Sequence, residues 1–198
     1  MQKSNLIIGV VGTLAAGKDE VADYLAKKID GEHVSTAEEL RDYVTEHHLG
    51  GLDRDNLRIV ANQLRAEQGG DFLVRLALAH KKRPIILSAM RSPLEVHAIL
   101  EAGGILIAID APVMKRYDWA KHRGRIDDAV TAEQFRLQEE AELAHLDPNH
   151  QQIFAVMEMA HYRIANDDTL LALRQKVDEV FDRIILNSVG KTTESELR

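Results

Sequence analysis

GTLAAGKDE, residues 12–20, decides how this chain is read. It follows the apolar run LIIGVV (6–11) and precedes a stretch in which Val21, Leu25 and Ile29 recur every four residues. A strand passing through a glycine-rich turn into an amphipathic helix is the setting in which G-x-x-x-x-G-K acts as a phosphate cradle. Gly12 to Lys18 satisfy that spacing. The loop amides of Gly12, Thr13, Leu14, Ala15, Ala16 and Gly17 are expected to converge on phosphate oxygens. The helix start adds the positive end of its dipole, and Lys18 reaches the outer phosphates. Asp19 and Glu20 complete the expected donor-binding set. Asp19 is the departure, because this position normally carries a hydroxyl that ligates magnesium. A carboxylate is also a hard oxygen ligand and can take over that task. The alternative is that Asp19 only caps the helix and repels nucleotide.

Working outward, PIILSAM (84–90) and GILIAID (104–110) are continuously apolar, like 6–11. Such runs suit strands covered by helices on both faces of a parallel sheet. EHVS (32–35) and HYRIAN (161–166) are weaker strand candidates. Between them the period turns helical. Leu57, Val60, Ala61 and Leu64 form one stripe, closed by Gly69 and Gly70. Ser35 with Glu38 and Thr131 with Gln134 read as capping boxes, and Asp147 before Pro148 as an N-cap followed by a first-turn proline. The alternation predicts an α/β, doubly wound fold: a P-loop three-layer sandwich with a five-stranded parallel sheet and helices on both faces.

The 198 residues suit one domain, placed at 1–186, with 187–198 as a tail that lacks an apolar stripe and is expected to fray. A formal charge of −7 argues against a nucleic-acid coat. The absence of cysteine excludes disulfides, thiolate metal sites and cysteine nucleophiles. The first apolar run is too short for a signal peptide or a membrane span, so a cytoplasmic protein is expected. His47 and His48 are adjacent, cannot share a helix face, and are expected in solvent.

Three further stretches carry cations or hydroxyls suited to phosphate. In HVSTAEELR (33–41), Thr36 and Arg41 lie at the start of a helix, although Arg41 also reads as a solvated charge. Arg91 follows the third strand, at the carboxyl edge where open sheets bind ligands. VMKRYDWAKHRGR (113–125) holds Lys115, Arg116, Lys121, Arg123 and Arg125 against one Asp118. It reads either as an arm that swings arginines over a transferring phosphoryl group or as a solvated basic helix. Trp119 is expected to pack rather than stack.

Together these pieces resemble the nucleoside-monophosphate kinase group of P-loop proteins. The likeness covers about residues 5–184 and includes dephospho-CoA kinase, adenylate kinase and the kinase-like domain fused to some deoxycytidylate deaminases. GVVGTLAAGKDEVADYL resembles their loop, and the GKD variant is similar to phage deoxynucleoside-monophosphate kinases. The resemblance implies ATP as donor, Mg2+ as cofactor with Asp19 as its ligand, and a nucleotide acceptor. It implies a monophosphate-binding region near 35–80 using Thr36, Arg41 and Arg91, and a lid near 115–130 using Arg123 and Arg125. A base-side loop would lie at Asn166 to Asp168, with Asn166 and Asp167 on ATP. Lys18, Arg91, Arg123 and Arg125 are the implied catalytic residues. Many relatives carry an acidic residue at the end of the third strand, where this chain has Ser88. The other readings are a nucleotide-binding regulatory or partner-binding module with little activity, and a dephospho-CoA kinase-like enzyme. The partners implied are small-molecule nucleotides, with neither nucleic acid nor membrane.

Overall fold

The computed structural model describes residues 5–80, 83–124, 131–143 and 152–195. Strand β1 (Ile7–Gly12) is buried along its whole length and leads into helix α1 (Lys18–Ile29). Then come β2 (Glu32–Ser35), α2 (Thr36–Glu46), α3 (Arg54–Gln68), α4 (Phe72–His80), β3 (Ile85–Ser88) and α5 (Pro93–Glu101). The chain continues with β4 (Ile105–Asp110), α6 (Val113–Arg123), α7 (Ala132–Leu143), α8 (Ile153–Glu158), β5 (Tyr162–Ala165) and α9 (Leu170–Ser195). All strand pairs are parallel, in the order β2-β3-β1-β4-β5.

The chain passes from β1 to β2 on one side of the sheet and reaches β4 and β5 on the other. The order therefore reverses around β1, and a crevice forms at its carboxyl end. Register sets what meets there: Val10 lies beside Ser88, Ser88 beside Ser35, and Gly12 beside Ile109. Gly12 is required by this closeness, since a Cβ would stand 1.9 Å from the Ile109 carbonyl oxygen.

Strand alternation divides the core into two layers. Ile8, Val10, Ile86 and Ile107 pack under Val21 and Leu25 of α1 and under Val177 and Phe181 of α9. On the opposite face, Ile7, Val11, Leu87 and Leu106 pack against Val74 of α4, Val96 and Ile99 of α5, and Val156 of α8. A separate small core joins Leu40 and Val44 of α2, Val60, Ala61 and Leu64 of α3, and Leu73 of α4. The stripes expected for α1 and α3 are the ones buried.

Local details differ from expectation in three places. Ser35 stands at the N-cap of α2 but makes no side-chain cap bond. It is still in the β2 ladder opposite Ser88, so the strand runs directly into the helix. The capping box the sequence reading overlooked is Ser92 with Glu95, with Pro93 in the first turn. The Thr131–Gln134 box is present, each backbone N–H donating to the other's side chain at 2.9 and 3.2 Å. Asp147 and Pro148 lie outside the described residues. Finally, α9 runs on to Ser195, past the end of its stripe at residue 187. Extending an existing helix adds one hydrogen bond per residue fixed, whereas nucleation is the costly step.

Asp178 ties α9 to α1. It accepts from Lys28 Nζ at 2.7 Å and from Tyr24 Oη at 2.8 Å. The Lys28 ammonium, then the Tyr24 hydroxyl, hold its carboxyl below the usual carboxylate range. A depressed carboxylate stabilises the fold above its unfolded pKa of about 3.9, and that contribution is lost as pH falls through the folded value. Both charges are about a third exposed, so the effect stays below ~1 kcal/mol. Asp178→Asn is expected to lower the melting temperature by about 2 °C at neutral pH. The difference should shrink in thermal melts as pH falls below the unfolded value and through the depressed folded one.

Candidate nucleotide-binding site

Loop 13–17 is shaped from behind by the residues that grip its carbonyls. The Thr13 carbonyl accepts from the Ala16 N–H at 3.3 Å and from Lys18 Nζ at 2.7 Å. Arg116 Nη1 donates to the Leu14 carbonyl at 3.1 Å, and Asn166 Nδ2 to the Ala16 carbonyl at 3.0 Å. Thr13 Oγ1 donates to Asp110 Oδ1 at 2.8 Å, an oxygen that also accepts the Ala111 N–H at 2.9 Å. The Asn166 N–H reaches the Asp110 carbonyl at 2.7 Å. The ends of β4 and β5 thus brace a loop that turns through left-handed Ala15 (φ 58°) and Gly17 (φ 94°) into α1.

Gly17 is constrained twice, by that φ and by Asn166 Nδ2, which would lie 2.8 Å from an added Cβ. Gly17→Ala is expected to cost about 1–3 kcal/mol in urea unfolding, the usual toll of a strained backbone site. It should also weaken nucleotide binding measured by calorimetry, because the Asn166 brace must shift.

In front of the loop lies a cleft of about 490 Å3. Gly17, Lys18 and Asp19 form its floor, Trp119 and Arg123 of α6 one wall, and Asn166 with Asp168 the β5 side. Asp19 is exposed and lines the cleft beside Lys18 in the chain. Among the described residues, no three His, Cys, Asp or Glu side chains form a metal cage. One carboxylate beside a phosphate cradle suits a magnesium ion brought in on phosphate oxygens, because that ion keeps several waters and needs few protein ligands.

The other predicted residues separate into groups. Arg123 lines the cleft as expected, while Arg125 lies outside the described residues, as does most of the lid after Gly124. Arg116 is not a lid arginine. It is 4% exposed, its Nε donates to the Ala111 carbonyl at 2.7 Å, and it pairs with Glu139 of α7. An arginine with backbone acceptors on one side and a carboxylate on the other is a strut, fully committed to the fold. Lys115 likewise donates to the Asp167 carbonyl.

Asp167 is turned from the cleft, 2.6 Å from Lys176, whose hydrogen bond and charge lower its pKa. The next residue, Asp168, lines the cleft instead. Trp119, expected to pack, is half-buried and lines the cleft too. His47 and His48 are exposed, as expected.

On the acceptor side, Thr36 is buried and its hydroxyl donates to the Ser88 carbonyl at 3.3 Å. Arg41 is exposed, with Nη1 3.1 Å from the Ala37 carbonyl of its own helix. The Arg91 N–H donates to Glu95 Oε2 at 2.6 Å. None of these three borders the cleft at the loop. Sequence reasoning missed Asp110, although it ends the apolar run 104–110 next to the loop strand, where an acidic residue is a usable signal. It also missed Glu139, which no local pattern marks.

Fold and loop together define a P-loop protein of the kinase-like α/β class. The chain belongs to the AAA domain family, whose profile matches residues 8–136, and to the UPF0200 proteins. A UPF0200 protein of Methanoculleus marisnigri is 31% identical over 170 residues, covering 83% of this chain and 88% of that protein. One from Methanoregula boonei is 30% identical over 180 residues, covering 88% and 94%. Among solved structures, TT1252 from Thermus thermophilus superposes with a TM-score of 0.60 at 17% identity, covering 90% of this chain and 97% of that one. Shikimate kinase from Bacteroides thetaiotaomicron gives 0.59 at 10% identity, covering 90% and 98%. These likenesses are of fold. The five-stranded parallel architecture and the likeness to P-loop nucleotide kinases agree with the sequence reading.

Proposed function

We propose that the protein transfers the terminal phosphoryl group of ATP to a nucleoside monophosphate or a similar small phosphorylated acceptor. The observation that supports this most is that Lys18 and Arg123, from different elements, both line the cleft at a pre-shaped phosphate loop. Phosphoryl transfer needs positioning and electrostatic stabilisation more than covalent chemistry, and cations brought to one cleft from two elements supply both.

In this reading the loop amides hold the donor phosphates. Lys18 exchanges its bond to the Thr13 carbonyl for a phosphate oxygen, and Arg123 neutralises charge on the moving group. Arg125 joins it as the lid excludes water. Asn166 and Asp167 border the donor's base, the latter through its backbone, and Asp168 stands nearer the cleft. Thr36, Arg41 and Arg91 receive the acceptor, which requires the α2 region to close on the sheet edge. Magnesium, when bound, screens the donor phosphates, and Asp19 is the residue that would hold it.

The test is ADP formation with a panel of ribo- and deoxynucleoside monophosphates and dephospho-CoA. Turnover that depends on one acceptor class supports the reading. Tight ATP binding with no stimulation by any of them overturns it in favour of a nucleotide-responsive module. Asp19→Ser carries a separate expectation: ATP affinity within about threefold of the parent, with the magnesium concentration for half-maximal binding displaced by about tenfold. Calorimetric titration of ATP across magnesium concentrations checks it, and an unchanged magnesium requirement removes Asp19 from the ligand set.

A further inference from the structure

Beside the cleft, side chains from three elements form one hydrogen-bonded line that phosphoryl transfer itself does not require. His33 of β2 places Nδ1 2.7 Å from Asp23 Oδ1 on α1 and Nε2 2.8 Å from Ser88 Oγ at the end of β3. An ionised carboxylate only accepts, so Nδ1 carries the proton, and in the neutral ring Nε2 accepts the Ser88 hydroxyl. Each link then has one donor and one acceptor. Ser88 is fully buried, the His33 side chain is 16% exposed, and Asp23 reaches the cleft lined by Lys18 and Asp19.

Ser88 is a junction. While its hydroxyl is held by His33, its carbonyl accepts from Thr36 Oγ1, at the start of α2. The next residue, Ala89, has a φ of +66°, a left-handed conformation that is costly for a residue with a Cβ. Such a residue persists only where its surroundings over-determine it. Downstream, Met90 is buried in the core and the N–H groups of Arg91 and Ser92 both donate to Glu95 Oε2. Upstream, Ser88 is paired in the sheet with Val10 and Ser35, and the side chains of His33 and Thr36 grip it as well. The turn that delivers Arg91 to the sheet edge therefore starts from a residue held by the sheet through its backbone and by Asp23 and His33 through its side chain.

We propose that His33 is a positioning residue for acceptor binding: oriented by Asp23, it fixes Ser88 and with it the strained turn that aims Arg91. The line sets Arg91 relative to α1, the helix that holds the donor, so the two substrates share one frame. This rests on the phosphoryl-transfer reading for the role of Arg91. A histidine that merely filled space would not need the Asp23 oxygen, and that difference is measurable.

The test uses the full chain and two readouts: hydrogen exchange at the amides of residues 89–91, and calorimetric affinities for ATP and for AMP and dCMP as acceptor probes. His33→Ala and Asp23→Ala are each expected to speed exchange at 89–91 and to weaken the better-bound monophosphate by about tenfold, the loss of one charge-assisted hydrogen bond. ATP affinity should stay within about twofold in His33→Ala, because His33, unlike Asp23, does not line the donor cleft. Asp23→Asn keeps an oxygen that accepts from Nδ1 and should behave like the parent. Asp23 is exposed on its helix, so its variants carry the test if His33→Ala does not fold. Unchanged exchange and monophosphate affinity in both alanine variants would overturn the proposal. Equal losses in Asp23→Asn and Asp23→Ala, or a parallel loss of ATP affinity in His33→Ala, would also overturn it. If neither monophosphate binds the parent protein, the acceptor reading fails and takes this inference with it, whereas tight binding that the variants leave intact removes the inference alone.

Discussion

Lys18→Ala is expected to abolish acceptor-dependent ADP formation, with turnover falling about a thousandfold while the fold stays intact. The size follows from where the charge sits. An ammonium at the neck of a phosphate loop, in a cleft partly screened from water, acts on charge that develops during transfer, and removing one such donor from a preorganised site costs about a hundred- to a thousandfold. Its structural role is small by comparison. The resting Lys18 bonds the Thr13 carbonyl at 2.7 Å, and the backbone contact between Ala16 and Thr13 keeps that turn closed without it. Losing one part-buried hydrogen bond costs about 1 kcal/mol, which a 198-residue domain tolerates. The measurement pairs steady-state ADP release with thermal melting. Collapse of turnover with a melting point within a few degrees of the parent supports a phosphate-handling lysine. Retained turnover would remove Lys18 from the mechanism, and a large drop in melting temperature would mean that the loop needs the lysine to fold.

The separation between a lysine at the cleft and an arginine buried in the fold bears on what the sequence could show. The loop was legible because its own signal is local. Gly12, Gly17 and Lys18 have fixed spacing, and the apolar runs on either side report the strand and the helix. The parallel sheet was legible for a similar reason, since strands covered on both faces are continuously apolar. What could not be read is pairing across distance. Lys115, Arg116 and Arg123 belong to one basic stretch, and composition gives no means of sorting them. In the fold, Arg123 lines the cleft, Lys115 meets the Asp167 carbonyl, and Arg116 is buried against Glu139. The same limit hid the line through His33, whose partners lie 10 and 55 residues away. It also hid how differently two neighbours in the 166–168 loop are held. Asn166 and Asp167 are adjacent in sequence, yet one braces the loop from behind and the other pairs with Lys176.

Arg116→Ala is expected to destabilise the protein by about 3–5 kcal/mol, because it strips a buried carboxylate of its partner. Arg116 is 4% exposed and Glu139 7%, so neither charge can turn to water when the other is lost. The substitution also removes the donors to the Ala111 and Leu14 carbonyls, adding the cost of unsatisfied backbone acceptors. Against a total stability of about 5–15 kcal/mol, the variant should unfold at far lower urea concentration. Glu139→Ala should cost a similar amount for the opposite reason, an unpaired guanidinium, but it leaves the backbone contacts of Arg116 in place. The two variants therefore differ in function. With Leu14 released, Arg116→Ala should also lose nucleotide affinity at temperatures where it remains folded, whereas Glu139→Ala should retain most of it. The double variant Arg116→Met with Glu139→Leu buries no charge and should be less destabilised than the sum of the single losses, since an ion pair in the interior is worth less against an apolar replacement than against its own broken half. Urea titrations of the three variants decide the matter. Additive losses would mean that the two charges do not act as a pair, and α7 would then be held to α6 by packing alone.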